Sequence, residues 1–146
     1  MHADDPFDLS RFVQAQEGVY ASALAELCAG RKTSHWMWFV FPQIDGLGRS
    51  QTARFFAVKS LAEARAYLAH PVLGKRLREC TSAVLAVADR TASEIFGYPD
   101  EIKFRSSMTL FERADSDCAL FSDALNRFFG GGRDPMTLEI LAGIGS

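Results

Sequence analysis

Arg31-Lys32-Thr33-Ser34-His35-Trp36-Met37-Trp38-Phe39-Val40-Phe41-Pro42-Gln43 decides how the chain is read. Two cations and a histidine stand before an apolar run that holds both tryptophans of the chain and that Pro42 brings to an end. Ser34 can cap a helix here and Pro42 can stop one, which frames His35 to Phe41 as about two helical turns. Six successive apolar residues, Trp36 to Phe41, with β-branched Val40 among them, also suit a buried strand. Periodicity does not separate the two over so short a run. A helix is preferred because the neighbouring segments offer no clear strand partner; a small strand pair is the alternative. Beyond Gln43, Asp45-Gly46-Leu47-Gly48 reads as an irregular loop, and Ser50 can open a further helix through Val58.

Upstream, Leu9, Phe12, Val13, Gln16, Tyr20, Ala23, Leu24 and Leu27 fall close to one helical stripe. The spacing predicts one long amphipathic helix from about Asp8 to Gly30, with Arg31 and Lys32 at the negative end of its macrodipole. Downstream, Ser60 and Glu63 form a capping-box pattern opening a short helix to about Ala69, and Thr91 and Glu94 form a second. Pro71 suits the first position of a long helix reaching Ala88, and Pro99 that of a helix with Phe104, Met108 and Phe111 inside. Ser116 can cap a helix that Gly130-Gly131-Gly132 stops, and Pro135 starts a last short one. The expectation is an all-α fold of about seven or eight helices in one domain, residues 1–146, with 1–7 and 143–146 frayed.

A chain of 146 residues, 48% hydrophobic and 23% charged, can bury one substantial core. Its formal net charge of −2 gives no overall attraction to nucleic acid or anionic lipid, so a nucleic-acid partner is not favoured. No apolar run reaches the roughly 18 residues that a membrane span needs, and Met1 to Pro6 lacks the features of a signal peptide. A cytoplasmic location is expected. Cys28, Cys80 and Cys118 are widely spaced and form no paired metal motif, so they read as reduced, mostly core-facing thiols. The sequence indicates no metal and no cofactor.

The opening stretch together with Gly46-Leu47-Gly48-Arg49-Ser50 resembles the signature of the bacterial family filed as domain of unknown function 1810. Glu63 to Gly74, Phe96-Gly97-Tyr98-Pro99-Asp100 and Lys103 to Phe111 look like further blocks of that family. The resemblance implies a mostly helical single domain and no established activity. A calpastatin label attached to some members implies a protease inhibitor of a largely disordered type, which this core-forming composition contradicts.

Two polar clusters stand out. In the first, Arg31 and Lys32 can clamp an anionic group, Trp36 or Trp38 can stack on a planar ligand, and Gln43 can orient one through its amide. His35 is the leading acid/base candidate because an imidazole exchanges protons near neutral pH, and Asp45 is a weaker one. In the second, Lys103, Ser106 and Ser107 project from one helical face with Thr109 nearby. Consecutive hydroxyls in mid-helix need a reason, either close packing or a polar ligand. The expected function is therefore binding of a small anionic or nucleotide-like molecule, with glycosidic-bond hydrolysis as the reaction such a ligand suggests. The alternative is a protein-interaction module anchored by the aromatic stretch. For each residue there is also a structural role: helix-end cations, a capping histidine, core tryptophans and packed hydroxyls.

Overall fold

Helix α8, Asp100–Ala114, is the axis of the fold: Phe104, Met108, Leu110 and Phe111 on it are fully buried. The structure is a computed structural model describing residues 5–144, and among these the chain is helical with no named strand. Ahead of α8 come α1 (Ser10–Gln16), α2 (Tyr20–Cys28), α3 (Met37–Val40), α4 (Gln51–Phe55), α5 (Leu61–Ala69), α6 (Leu73–Ala86) and α7 (Ala92–Phe96). After it come α9 (Ala119–Phe129) and α10 (Pro135–Ile144). The ten helices exceed the expected number, and seven of them have seven residues or more. Helix α8 packs on α5, α7, α9 and α10, while α6 packs on α2, α5 and α9.

The long first helix predicted from the apolar stripe is two helices, α1 and α2. Gly18 sits at φ 74° between them, a left-handed conformation that breaks the helix. The break has a tertiary cause as well. Gln16 turns inward, its Nε2 donating to Phe39 O (2.7 Å) and Tyr67 Oη (3.3 Å), while its Oε1 accepts from Arg76 Nη1 (3.2 Å). That amide ties α1 to the α3 segment, α5 and α6.

The decisive stretch is helical, but only for one turn, Met37–Val40, followed by Phe41 and Pro42. Ser34 does not cap it. Its Oγ donates instead to Glu26 Oε2 on α2 (2.7 Å). The strand alternative for Trp36 to Phe41 does not form; beyond that segment an isolated parallel bridge joins Ile44 and Val58, closed by Asp45 N to Val58 O and Val58 N to Gln43 O, both 2.8 Å.

Local signals read from sequence fare differently according to what else their side chains meet. Thr91 and Glu94 complete both halves of a capping box. Ser60 accepts from Glu63 N, but the Glu63 carboxylate goes to Lys59 N (2.9 Å) and Arg11 Nη2 (2.8 Å) rather than to the Ser60 amide. Helix α6 starts at Leu73, two residues after Pro71, because His70 Nδ1 accepts from Val72 N and Leu73 N. Ser116 caps nothing; α9 begins after Cys118. Asp5 accepts from Leu9 N and Ser10 N, Phe7 packs on the core, and α10 continues to Ile144. Residues 1–4 and 145–146 of the ends expected to fray lie outside the described residues.

Two internal features hold the core in register. Arg11 spends all five guanidinium N–H groups on Phe55 O, Phe7 O, Asp8 O, Ala57 O and Glu63 Oε2. At Gly74 a Cβ would lie 2.0 Å from Leu68 O, so α5 and α6 meet backbone to backbone and no other residue fits without moving them. Cys80 is buried, which pushes its thiol up to about 12; Cys28, against expectation, is exposed. No helix among the described residues is long and apolar enough to cross a membrane.

Candidate functional site

The two polar clusters of the sequence meet at a cleft of about 260 Å³ between the Gln43–Gly48 loop, α8 and the start of α10. Gln43, Lys103, Ser106 and Asp134 line its polar side, and Leu47, Ile102 and Met136 its apolar side. Larger concavities lie near the first helix and beside α4, but neither gathers the polar groups of both segments.

The start of the decisive stretch is held by Glu26. Its Oε1 accepts from Thr33 N (2.8 Å), Ser34 N (3.0 Å) and the Trp36 indole (3.0 Å), and its Oε2 from Ser34 Oγ. Burial acts to raise the Glu26 pKa, but hydrogen bonds from Ser34 Oγ, Thr33 N, the Trp36 indole and Ser34 N outweigh it and hold the carboxyl down to about 2. Trp36 is thereby fixed in the core, fully buried, and presents nothing to a ligand. Trp38 is half-buried instead. Lys103 Nζ lies 4.7 Å from its ring centroid, and its indole N–H has no protein partner.

Lys32 and Lys103 converge on Asp100 in the first turn of α8, at 2.8 and 3.4 Å. Two ammonium groups share one carboxylate, and only Lys103 lines the cleft. Lys32, with 7% side-chain exposure, is also held over the Trp36 ring. Arg31 is exposed and its guanidinium makes no contact with the cleft. His35 is exposed without a hydrogen bond, and Asp45 pairs with Lys59 at 3.6 Å on the surface; neither lines the cleft.

The hydroxyls of α8 explain themselves through a residue that the sequence reasoning missed. Asp134 caps α10: its Oδ2 accepts from Thr137 N (3.3 Å), Thr137 Oγ1 (2.6 Å) and Ser106 Oγ (2.8 Å). Its own N–H donates to Thr109 Oγ1 (3.0 Å). Ser106 and Thr109 thus dock α10 on α8. Ser107 is fully buried, its Oγ without a partner, and it does not reach the cleft. The signal for Asp134 was present in the sequence, since an Asp directly before a Pro is a cap-plus-first-turn pattern. Among the described residues no group of three or more His, Cys, Asp or Glu side chains is placed to hold a metal.

An all-helical domain with a small mixed cleft between the Gln43–Gly48 loop, α8 and the start of α10 is the class that fold and site define among the described residues. The chain belongs to the family described as a protein of unknown function, DUF1810, whose sequence pattern matches residues 6–141. It is similar to the solved structure of the conserved hypothetical protein Rv1873 from Mycobacterium tuberculosis. The two are 54% identical, the likeness covers 94% of this chain and 99% of that one, and the TM-score is 0.94. No curated protein matches the chain.

Proposed function

We propose that the cleft binds a small anionic or nucleotide-like ligand. The observation that carries this is an excess of unsatisfied polar groups at one concave place. The Gln43 amide has no protein hydrogen bond, Lys103 has one long ion pair, and the Trp38 indole beside it is free to donate. Polar groups gathered in an apolar-walled cavity and left unpaired by the protein are the usual features of a small-molecule site. The volume of about 260 Å³ falls just below the range of about 300 to 1,000 Å³ typical of whole drug-sized ligands. It suits a nucleobase or a compact acid, with the remainder of a nucleotide lying outside near Lys103 and Trp38.

Binding is proposed in preference to glycosidic-bond hydrolysis, because the acid/base candidates His35 and Asp45 stand away from the cleft. The test is thermal stabilisation against nucleotides, ADP-ribose, sugar phosphates and small carboxylates. A ligand at a hundred times its dissociation constant adds about 2.7 kcal/mol, which raises Tm by several degrees. Lys103→Ala should abolish that rise while keeping the fold; unchanged affinity would remove α8 from the site.

One observation favours a second role, protein interaction. Ile102 and Met136 line the cleft and are 47% and 53% exposed, and Tyr98, close by in sequence, is 79% exposed. Within the aromatic stretch Trp36, Met37, Val40 and Phe41 are buried, so an anchor there would rest on the half-buried Trp38 and Phe39. A panel without a hit, combined with partner capture lost in Ile102→Asp, would favour this role over the first.

A further inference from the structure

Asp134 is 91% buried by its 9% exposure, and its two carboxylate oxygens differ in kind. Oδ2 is saturated by the Ser106 hydroxyl and by the Thr137 hydroxyl and amide. Oδ1 accepts no hydrogen bond from the protein. Among the described residues the only sealed side-chain polar atom without a partner is Ser107 Oγ, so Asp134 Oδ1 is reachable from outside, and Asp134 is a lining residue of the cleft. An ionised carboxylate offers acceptors only. Phosphate and carboxylate groups are therefore repelled by Asp134, while Lys103, on the same cleft, favours them.

We infer that the cleft selects ligands carrying a donor nitrogen, which Asp134 Oδ1 accepts, together with an acidic group that Lys103 holds. This rests on the ligand-binding role proposed above and names its substrate class. Two sources share the chemistry: a nucleotide with an exocyclic amino group on its base, and an amino acid with a second carboxylate. The Gln43 side-chain amide, which lines the same cleft, adds a donor and an acceptor and suits either.

The surroundings of Oδ2 make a sharp test possible. In Asp134→Asn the Thr137 N–H, which can only donate, selects the amide oxygen for that position, and the Thr137 and Ser106 hydroxyls can donate to it as before, which keeps the cap on α10 and leaves the NH2 group in place of Oδ1. The substitution replaces an open acceptor by an open donor without removing the anchor of the helix.

The measurement is calorimetric titration of the full chain with two pairs differing at the amino group: AMP against IMP, and glutamate against glutarate. In at least one pair the amino-bearing member should bind tenfold or more tightly than its partner, and in Asp134→Asn that preference should vanish or reverse. Equal binding within each pair, lost in Lys103→Ala, would overturn the amino selectivity and leave the ligand-binding role standing. A preference that Asp134→Asn leaves untouched would overturn the assignment to Asp134. Binding of none of the four probes would sink both the selectivity and the role it rests on. Melting curves of Asp134→Asn in the absence of ligand check that α10 remains docked.

Discussion

Two polar clusters of this protein are built from similar groups and differ in how completely they are used. Around Arg11 every guanidinium N–H has an acceptor, the Glu63 carboxylate takes Arg11 and Lys59 N, and the nearby Gln16 amide is satisfied at both ends. Around the cleft the Gln43 amide, Asp134 Oδ1 and the Trp38 indole are left open. Buried polar groups cost free energy when unpaired, so a closed network is a fastening and an open one at a cavity is a place for something else to bind. The difference separates scaffold from site without recourse to charge or residue type.

Breaking the closed cluster should have the largest effect. Glu63→Ala strands Arg11 in a site where the two side chains are 8% and 2% exposed, and loss of one partner of such a pair costs about 3 to 5 kcal/mol. Thermal denaturation should show Tm lower by about 10 °C or more; a drop of only a degree or two would mean that Arg11 is adequately served by its carbonyl partners. The tryptophans sharpen the same contrast. Trp36→Ala empties a fully buried position and should cost about 3 to 5 kcal/mol, whereas Trp38→Ala should cost about 1 kcal/mol, close to a surface cation–π contact. Comparable losses at the two positions would place Trp38 in the core and remove it from the site.

Glu26 gives an intermediate effect that depends on pH. Its folded pKa, about 2, lies below the ordinary glutamate value, so its contribution is fully present above about pH 4.5 and is lost as pH falls toward 2. Tm measured from pH 6 to 2 should fall less steeply in Glu26→Gln than in the parent protein, and parallel curves would show that the carboxylate does not hold the loop. The smallest effect is expected at Gln43. Gln43→Ala should change stability by less than about 0.5 kcal/mol because no protein hydrogen bond is lost, and should weaken whatever ligand the cleft holds.

Much of the fold was legible because its signals are local. Ser50, Ser60 and Thr91 sit three residues before the amides that they cap, and Gly130 in the left-handed region ends α9. Failures came where a distant residue outbid the local one. Ser34 looked like a cap until Glu26, eight residues earlier, claimed it. The single long helix predicted from the apolar stripe ignored Gly18 because the stripe resumes in phase after it. At the site, Gln43, Lys103 and Ser106 were chosen on residue type and do line one cleft, while Ser107 and Trp36 were chosen on the same grounds and are buried elsewhere. The consecutive hydroxyls Ser106 and Ser107 part ways: Ser106, like Thr109 nearby, meets Asp134, which lies 28 and 25 residues away and whose own cap pattern with Pro135 gives no hint of that pairing, while Ser107 is buried without a partner.

The contact at Gly74 also governs which parts of the molecule have room to give. With α5 and α6 touching through their backbones, and α8 packed on α5, these three helices form a stiff corner that a ligand cannot pry apart. Any closing around a bound molecule is left to the part of the Gln43–Gly48 loop beyond the Ile44–Val58 bridge, because the connection before Asp134 is fastened to α8 through Arg105, which donates to Gly132 O and Arg133 O. Hydrogen exchange should therefore slow on ligand addition in that loop and stay unchanged along α5 and α6. The cleft would work as a jaw with one fixed side.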